Sequence, residues 1–160
     1  MRRADREITD TEEILAILQE CNVCHLGMAL GNSPYIVPLN YGYTCQDGRI
    51  SIIFHSAKEG RKIDMLAANP RVCFQVDCGH SLVTGDRACS YGYAYRSVIG
   101  FGTVAVVEEE AEKAACLNIL MKHQTGEDRE FSFDDSTLRE TAVFRLPLEE
   151  ITGKQRVSIT

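Results

Sequence analysis

Three cations in the middle of the chain are the residues whose types and spacing best suit chemistry. Lys58, Arg61 and Lys62 occur within five positions, after an apolar run that predicts a buried strand. The same stretch has Ser56 and Glu59 at capping-box spacing, which predicts a helix start. Main-chain N–H groups at a helix start favour an anion, and Arg and Lys suit phosphate oxygens. The pattern indicates a phosphate site, and a solvated cationic helix face is the alternative.

The charge balance of the whole chain limits what such a cluster can bind. Seventeen Lys and Arg residues stand against twenty-three Asp and Glu residues, a formal net charge of −6 at pH 7. An acidic protein is poorly suited to non-specific binding of a nucleic-acid backbone, so we expect no nucleic-acid partner. Cations at a helix start also oppose the helix dipole, which favours a bound anion at that point.

Length and composition bound the class of protein. At 160 residues, with 44% hydrophobic and 25% charged residues, the chain is predicted to form a single domain over residues 1–160. No apolar run reaches the roughly 18 residues of a membrane helix, and polar residues follow the N-terminus where a signal peptide would be apolar. We therefore expect a cytoplasmic protein with no membrane partner.

The cysteines predict neither disulfides nor a metal site. Seven cysteines are an odd number without framework spacing, which favours reduced thiols. Cys21 and Cys24 form one Cys-x-x-Cys pair without a second pair at zinc spacing, and the pair crosses a predicted helix end. A zinc or dithiol module at this pair is therefore the weaker hypothesis.

Hydrophobic periodicity predicts the elements that position the cations. Successive strands with few helices between them favour an antiparallel barrel with peripheral helices over a parallel doubly wound sheet. Glycines at 92, 100 and 102 predict bends or a close approach by an external group. Helices are predicted over residues 10–21, from 56 to the Asn69-Pro70 stop and over 108–123; strands over 23–29, 35–43, 49–55, 72–76, 91–107 and 142–148; loops over 78–87 and 124–141.

Longer segments around the cations resemble a known family. Residues 54–64, followed by 68–74, look like the phosphate-binding segment of the pyridoxamine 5'-phosphate oxidase-like FMN-binding split-barrel superfamily. Residues 35–43 resemble its strand beneath the isoalloxazine ring, and residues 96–104 resemble a later strand of the barrel. The resemblance implies a mainly β fold, a six-stranded antiparallel split β-barrel with peripheral short helices.

One branch of the superfamily is the most similar. The run from His55 to Lys62 and residues 151–155 look most like the branch associated with resistance to 5-nitroimidazole antibiotics. The resemblance extends from Arg2 to Lys154. It implies a homodimer with two FMN sites at the subunit interface.

The resemblance also implies which residues hold FMN. Arg61 and Lys62 would bind its phosphate, with Ser56 as a further donor and Lys58 as an additional cation. The ring would lie along the strand that contains Asn40. The residues expected at the cofactor are Val37, Pro38, Leu39, Asn40, Phe54, His55, Ser56, Lys58, Arg61, Lys62, Ile99 and Gly100.

His55 is the candidate catalytic residue. It ends a predicted strand beside the phosphate segment, and histidine is the side chain most able to titrate near neutral pH. The matching histidine of the nitroimidazole-resistance branch lies close to the flavin, so the resemblance implies a proton donor. A histidine that only hydrogen-bonds the cofactor or the barrel rim is the alternative.

The resemblance implies a flavin-dependent oxidoreductase that passes electrons from NAD(P)H or a partner protein to a small acceptor such as a nitroaromatic (5-nitroimidazole) compound. Pyridoxamine phosphate oxidation is not expected, because Asn40 stands where those oxidases have a lysine and their C-terminal substrate segment is absent. Without a Gly-x-Gly-x-x-Gly motif, a nicotinamide would bind transiently against the flavin. The alternatives are a non-catalytic flavin carrier or sensor, and a haem or deazaflavin protein on the same barrel, with His25, His80 and His123 as haem ligands.

Overall fold

The fold is built around an antiparallel sheet that closes on itself. The computed structural model describes residues 3–156. Its strands are β1 (Glu7–Ile8), β2 (Val23–Leu30), β3 (Ser33–Gln46), β4 (Arg49–Ala57), β5 (Arg71–Val83), β6 (Gly92–Thr103), β7 (Ala105–Val107) and β8 (Thr141–Arg156). Its α-helices are α1 (Thr11–Glu20), α2 (Arg61–Ala68), α3 (Glu110–Thr125) and α4 (Asp135–Glu140).

Six strands form the ring in the order β8-β4-β3-β2-β5-β6, and β6 pairs back onto β8. The long strand β8 closes the ring because its first half pairs with β4 and its second half with β6. The short strands β1 and β7 pair with β8 alone. The predicted mainly β, six-stranded antiparallel split barrel with short peripheral helices is confirmed.

Two glycines of β6 allow this closure. A Cβ on Gly102 would lie 2.1 Å from the Pro147 carbonyl oxygen, and one on Gly100 would lie 2.9 Å from the Leu148 methyl groups. The sequence pattern predicts a bend or an external group at these positions. The structure shows instead that strand β8 of the same chain makes the close approach.

Large apolar side chains fill the ring. Tyr41, Phe54 and Phe74 are fully buried, and the Tyr41 hydroxyl donates to the Leu18 carbonyl oxygen at 2.7 Å. The hydroxyl thus avoids the cost of an unpaired polar group in the core. Helix α3 covers the outer side of β3 and β4 and forms a second, smaller cluster with Ile53.

The predicted Ser56 helix cap is wrong. Ser56 continues strand β4 opposite Ala142, and its hydroxyl donates to the Ala57 carbonyl oxygen at 2.7 Å. Helix α2 begins five residues later, after Gly60, with no side-chain cap. Pairing with the distant strand β8 overrides the local capping pattern, and this partner is invisible in the local sequence.

Two segments predicted as loop differ from the structure, and a third segment, for which no element was predicted, is a strand. Residues 78–83, predicted as loop, extend β5 and pair with β6 after a register shift. Residues 149–156, whose order the sequence did not predict, extend β8. Residues 135–140, predicted as loop, form α4 with the Asp134 side chain as cap. For the two strand segments the missing information is again a strand partner distant in sequence.

The described residues also bear on the remaining predictions, which concern two helices, a membrane span and the cysteines. The predicted helices at 10–21 and 108–123 are confirmed as α1 and α3. Within residues 3–156 no helix has the length and apolar content needed to cross a bilayer. All seven cysteines are free thiols.

Candidate functional site

The predicted phosphate segment forms a tight corner between β4 and α2. Its loop ends at Gly60, whose φ of 114° lies in a region that favours glycine. The N–H groups of Ile63 and Asp64 both donate to the Gly60 carbonyl oxygen, at 2.8 and 3.2 Å. The N–H groups of Arg61 and Lys62 therefore begin the helix with no acceptor in the preceding turn. Free N–H groups at a helix start are the donors that favour an anion.

The cations at this corner are free of carboxylate partners. Within residues 3–156, no ion pair joins Lys58, Arg61 or Lys62 to an acidic side chain. The guanidinium of Arg61 instead lies over the Tyr35 ring, 4.6 Å from its centroid. Their positive charge is therefore available to an anion.

His55 lies beside this corner, close enough to Lys62 for the charge of Lys62 to affect the pKa of His55. Partial burial lowers the pKa of His55, and the positive charge of Lys62 lowers it further. Burial also lowers the pKa of Lys62. Both effects on His55 favour the neutral form of its imidazole.

An exposed, mostly apolar surface lies on the outside of four adjacent strands. Successive residues of β3 alternate, so Ile36, Pro38 and Asn40 are exposed whereas Val37 and Leu39 pack towards the core. Pairing across the strands places further side chains beside them. We call this surface the outer face; it consists of Ile36, Gly27, Cys73 and Phe101 in one cross-strand row and Pro38, His25, Gln75 and Ile99 in the next.

The outer face is apolar and contains a cavity. Ile36 is 66% exposed, Phe101 40% and Ile99 39%. A cavity of about 370 Å³ opens on it, lined by His25, Gly27, Ile36, Cys73 and Gln75. Contiguous exposed apolar surface of this kind marks a binding or association site.

Some predicted cofactor residues lie away from the outer face. Phe54 is fully buried and stacks on Phe144 with ring centroids 5.1 Å apart. Gly100 is buried against β8. The side chains of Val37 and Leu39 point inward. These four residues form part of the barrel wall, and their place at the cofactor stays a prediction, whereas Pro38, Asn40 and Ile99 are exposed.

Sequence reasoning missed several residues of the outer face. Ile36 could have been found from the alternation on its strand, because it lies two positions before Pro38. His25, Gln75, Cys73 and Phe101 could not, because only the strand order places them beside it.

An amide network lies at the end of the outer face. Asn40 Nδ2 donates to Gln124 Oε1 at 3.0 Å and to the Asn22 carbonyl oxygen at 3.3 Å. Gln124 Nε2 donates to the carbonyl oxygens of Asn22 and Tyr41, at 3.0 and 2.9 Å. Gln124 therefore links the end of α3 to the strand that carries Asn40.

The other histidines each have a local role in the fold. His25 Nδ1 lies 3.1 Å from Gln75 Oε1, and His80 Nε2 lies 2.5 Å from Asp77 Oδ2. His123 is buried, and its Nε2 lies 2.9 Å from the Cys21 carbonyl oxygen, a distance at which it donates. Within the described part of the chain, no three His, Cys, Asp or Glu side chains are grouped to hold a metal ion.

The ring topology places the protein in the split β-barrel class. The chain belongs to the pyridoxamine 5'-phosphate oxidase family, whose sequence model matches residues 10–155. The predicted superfamily is thereby confirmed.

Solved structures extend the comparison. The chain is 35% identical to a candidate 5-nitroimidazole antibiotic resistance protein from Bacteroides thetaiotaomicron, with a TM-score of 0.81 over 93% of this chain and 86% of that one. This match confirms the predicted branch. A flavocytochrome from Azotobacter vinelandii is 23% identical, with a TM-score of 0.82 over 99% and 72% of the two chains. An FAD and haem binding protein from Mycobacterium smegmatis is 18% identical, with a TM-score of 0.78 over 94% and 73%. The last two share the fold. A search of curated proteins gave no match.

Proposed function

We propose that this protein is an FMN-dependent oxidoreductase that reduces a small acceptor, such as a nitroaromatic compound, with electrons from NAD(P)H or a partner protein. The observation that carries the proposal is the position at a helix start of Arg61 and Lys62, which form no ion pair with any residue from 3 to 156. Arg61 packs on Tyr35, at the beginning of the strand that supplies Ile36, Pro38 and Asn40 to the outer face. The site thus has one place suited to an anion and another suited to an apolar ring.

The residues fit the two ends of FMN. Arg61 and Lys62, with the N–H groups that begin α2, suit a phosphate group. The exposed side chains of Pro38 and Ile99 suit one side of a planar ring. Lys58 adds charge at the corner, whereas the Ser56 hydroxyl must leave the Ala57 carbonyl oxygen before it can donate to a ligand.

The exposed apolar residues support a homodimer. Ile36 and Phe101 would remain in water on an isolated subunit, and burial of apolar surface stabilises association. We propose that a second copy of the chain covers the part of the outer face that the ring leaves open, and that each of the two sites lies at the interface.

Bound FMN would supply the electron transfer, and the protein would supply anchoring, orientation and access. The neutral imidazole of His55 is favoured because burial and the charge of Lys62 lower its pKa. We therefore propose that it acts as a neutral imidazole, which donates one N–H and accepts or relays a proton at the other nitrogen.

The acceptor is proposed from the likeness to the Bacteroides protein and from the chemistry at Asn40. A neutral amide replaces the lysine expected of a pyridoxamine phosphate oxidase, so we do not propose vitamin B6 oxidation. We further propose a cytoplasmic protein that acts as one domain, with small-molecule and electron-donor partners but no nucleic-acid or membrane partner.

The test is to add FMN to the purified protein, remove the excess by gel filtration, and record the visible spectrum and the mass of the eluted species. We expect a retained flavin spectrum on a dimer, followed by NAD(P)H oxidation that depends on an added 5-nitroimidazole. Retained flavin without turnover with either nucleotide would favour a carrier or sensor. Preference for haem or a deazaflavin over FMN, or retention of none of them, would contradict the proposal.

A further inference from the structure

The polarity of the Asn40 side chain decides what the end of the outer face can bind. An amide presents either a carbonyl oxygen, which accepts hydrogen bonds, or an NH2 group, which donates them. Asn40 is exposed at the end of the outer face, two positions after Pro38 on the same strand. The contacts that hold the amide therefore determine which of its two ends faces a ligand.

Main-chain carbonyls fix the orientation of the second amide in the network. Gln124 Nε2 lies 3.0 Å from the Asn22 carbonyl oxygen and 2.9 Å from that of Tyr41. Carbonyl oxygens only accept, so the Gln124 amide must turn its NH2 group towards them. Its Oε1 is then the end that faces Asn40.

The orientation passes from Gln124 to Asn40. Asn40 Nδ2 lies 3.0 Å from Gln124 Oε1 and 3.3 Å from the Asn22 carbonyl oxygen, and both of these atoms only accept. Asn40 must therefore turn its NH2 group inward. Its Oδ1, which has no hydrogen-bond partner within residues 3–156, is left to face outward as an acceptor.

We propose that Gln124 is a positioning residue that holds Asn40 so that its Oδ1 accepts a hydrogen bond from an N–H group of the flavin ring. This inference rests on the proposed function and adds a specificity to it. The oxidised isoalloxazine carries one ring N–H, at N3; two-electron reduction adds another at N5 and, in the neutral dihydroflavin, a further one at N1. An amide held in this way selects an N–H donor, whereas a lysine at the same place could only donate.

The first experiment removes the acceptor. Asn40→Leu keeps the size of the side chain but abolishes Oδ1, and the measurement is the Kd for oxidised and for chemically reduced FMN. Loss of one hydrogen bond corresponds to an increase in Kd of about tenfold. An increase for both oxidation states identifies N3–H as the donor, and an increase for reduced FMN alone identifies an N–H that reduction creates, at N5 or N1. An unchanged Kd in both states would overturn the proposal.

The second experiment tests whether Gln124 acts through the orientation of Asn40. Gln124→Ala should raise the Kd of the affected oxidation state by about three- to tenfold in the natural chain. In an Asn40→Asp background both side-chain oxygens are acceptors, so the same replacement should cause no further loss. An equal fold-loss in the two backgrounds would show a purely structural role and overturn this assignment.

The matched control is Gln46→Ala, which removes an exposed glutamine from the end of the same strand. It should leave the Kd unchanged, and thermal unfolding should confirm that each variant is folded. The two proposals fail separately. If the unchanged protein binds no FMN, the proposed function fails; if it binds FMN and Asn40→Leu binds equally well, only the present inference fails.

Discussion

The guanidinium of Arg61 lies 4.6 Å from the centroid of the Tyr35 ring. This contact joins the first residue of α2 to the strand whose following residues form one edge of the outer face. A long cationic side chain would otherwise sample many rotamers in water. The aromatic ring therefore helps to keep the cation at the site while leaving its N–H groups free for a phosphate.

Replacement of Tyr35 by leucine should weaken FMN binding modestly. A cation over an aromatic ring contributes about 0.5–1 kcal/mol at an exposed site, so the Kd should rise about two- to fivefold by flavin fluorescence titration. Tyr35→Phe keeps the ring and is the control, with an expected change of less than about twofold. Equal weakening by both variants would show that the hydroxyl, rather than the ring, is important.

Helix α3 packs so closely on β3 that Gly42 cannot carry a side chain. An added Cβ would lie 2.7 Å from Leu120 Cα and 2.9 Å from its nitrogen. Gly42→Ala should therefore lower the free energy of unfolding by about 1–3 kcal/mol, the usual range for overpacking. Gly27→Ala is the control, because its Cβ would meet Cys73 at an ordinary 3.5 Å. A Gly42→Ala protein as stable in urea as the Gly27→Ala protein would contradict this packing.

The thiols should differ widely in reactivity. Burial raises the pKa of Cys21 and of Cys24 to about 12, whereas Cys45 and Cys89 are exposed. Since the thiolate is the reactive form, iodoacetamide at pH 8 should modify Cys45 and Cys89 first and leave Cys21 and Cys24 intact. Mass spectrometry of native and urea-unfolded samples gives the order. Early modification of Cys21 and Cys24 would revive the dithiol hypothesis.

Stability should fall as the pH is lowered from about 7 to 5. Burial lowers the pKa values of His55 and His123 in the folded protein, and Lys62 lowers that of His55 further. Below the unfolded pKa of about 6.5, the unfolded chain binds more protons than the folded one, so the free energy of unfolding decreases until the folded pKa is passed.

The histidine contribution can be isolated by replacement. Asp5 and Asp134 have pKa values lowered to about 2, so their contribution is lost only in stronger acid. Urea unfolding at several pH values gives the free energy of unfolding as a function of pH. Between pH 7 and 5 this free energy should change less steeply for a His55→Asn, His123→Asn protein than for the unchanged protein, whatever the absolute stability of the variant. A slope unchanged by the double replacement would assign the pH dependence to other groups.

Local sequence patterns were sufficient to predict most strands of the barrel and to single out the cations around the start of α2. The alternation around Tyr41 and the apolar run before His55 predict their strands, and Arg61 and Lys62 begin α2. The pattern at Ser56 misled because pairing with β8 is stronger than an isolated capping motif. Capping depends only on neighbours in sequence, whereas a strand partner can lie anywhere in the chain.

The rest of the site depends on pairings that the linear sequence does not contain. Gln124 reaches Asn40 only because α3 lies across β3, a contact between residues 84 positions apart. At Gly100 the sequence pattern left a bend and a close approach by an external group open, and the structure places Leu148 of β8 against it. Whether a residue faces a ligand or a neighbouring strand is decided by barrel closure, and closure is a property of the whole fold.

The central claim is that Arg61 and Lys62 bind the phosphate of FMN, and its most direct test compares FMN with riboflavin, which lacks that phosphate. Two charge-assisted contacts of about 1.5–3 kcal/mol each correspond to at least about 100-fold tighter binding of FMN by the unchanged protein. In the Arg61→Ala, Lys62→Ala protein this preference should fall below about tenfold, while Lys122→Ala, Arg129→Ala, which removes two exposed cations elsewhere, should retain it. Equal affinity of the unchanged protein for the two flavins, or a preference that survives loss of both cations, would contradict the claim.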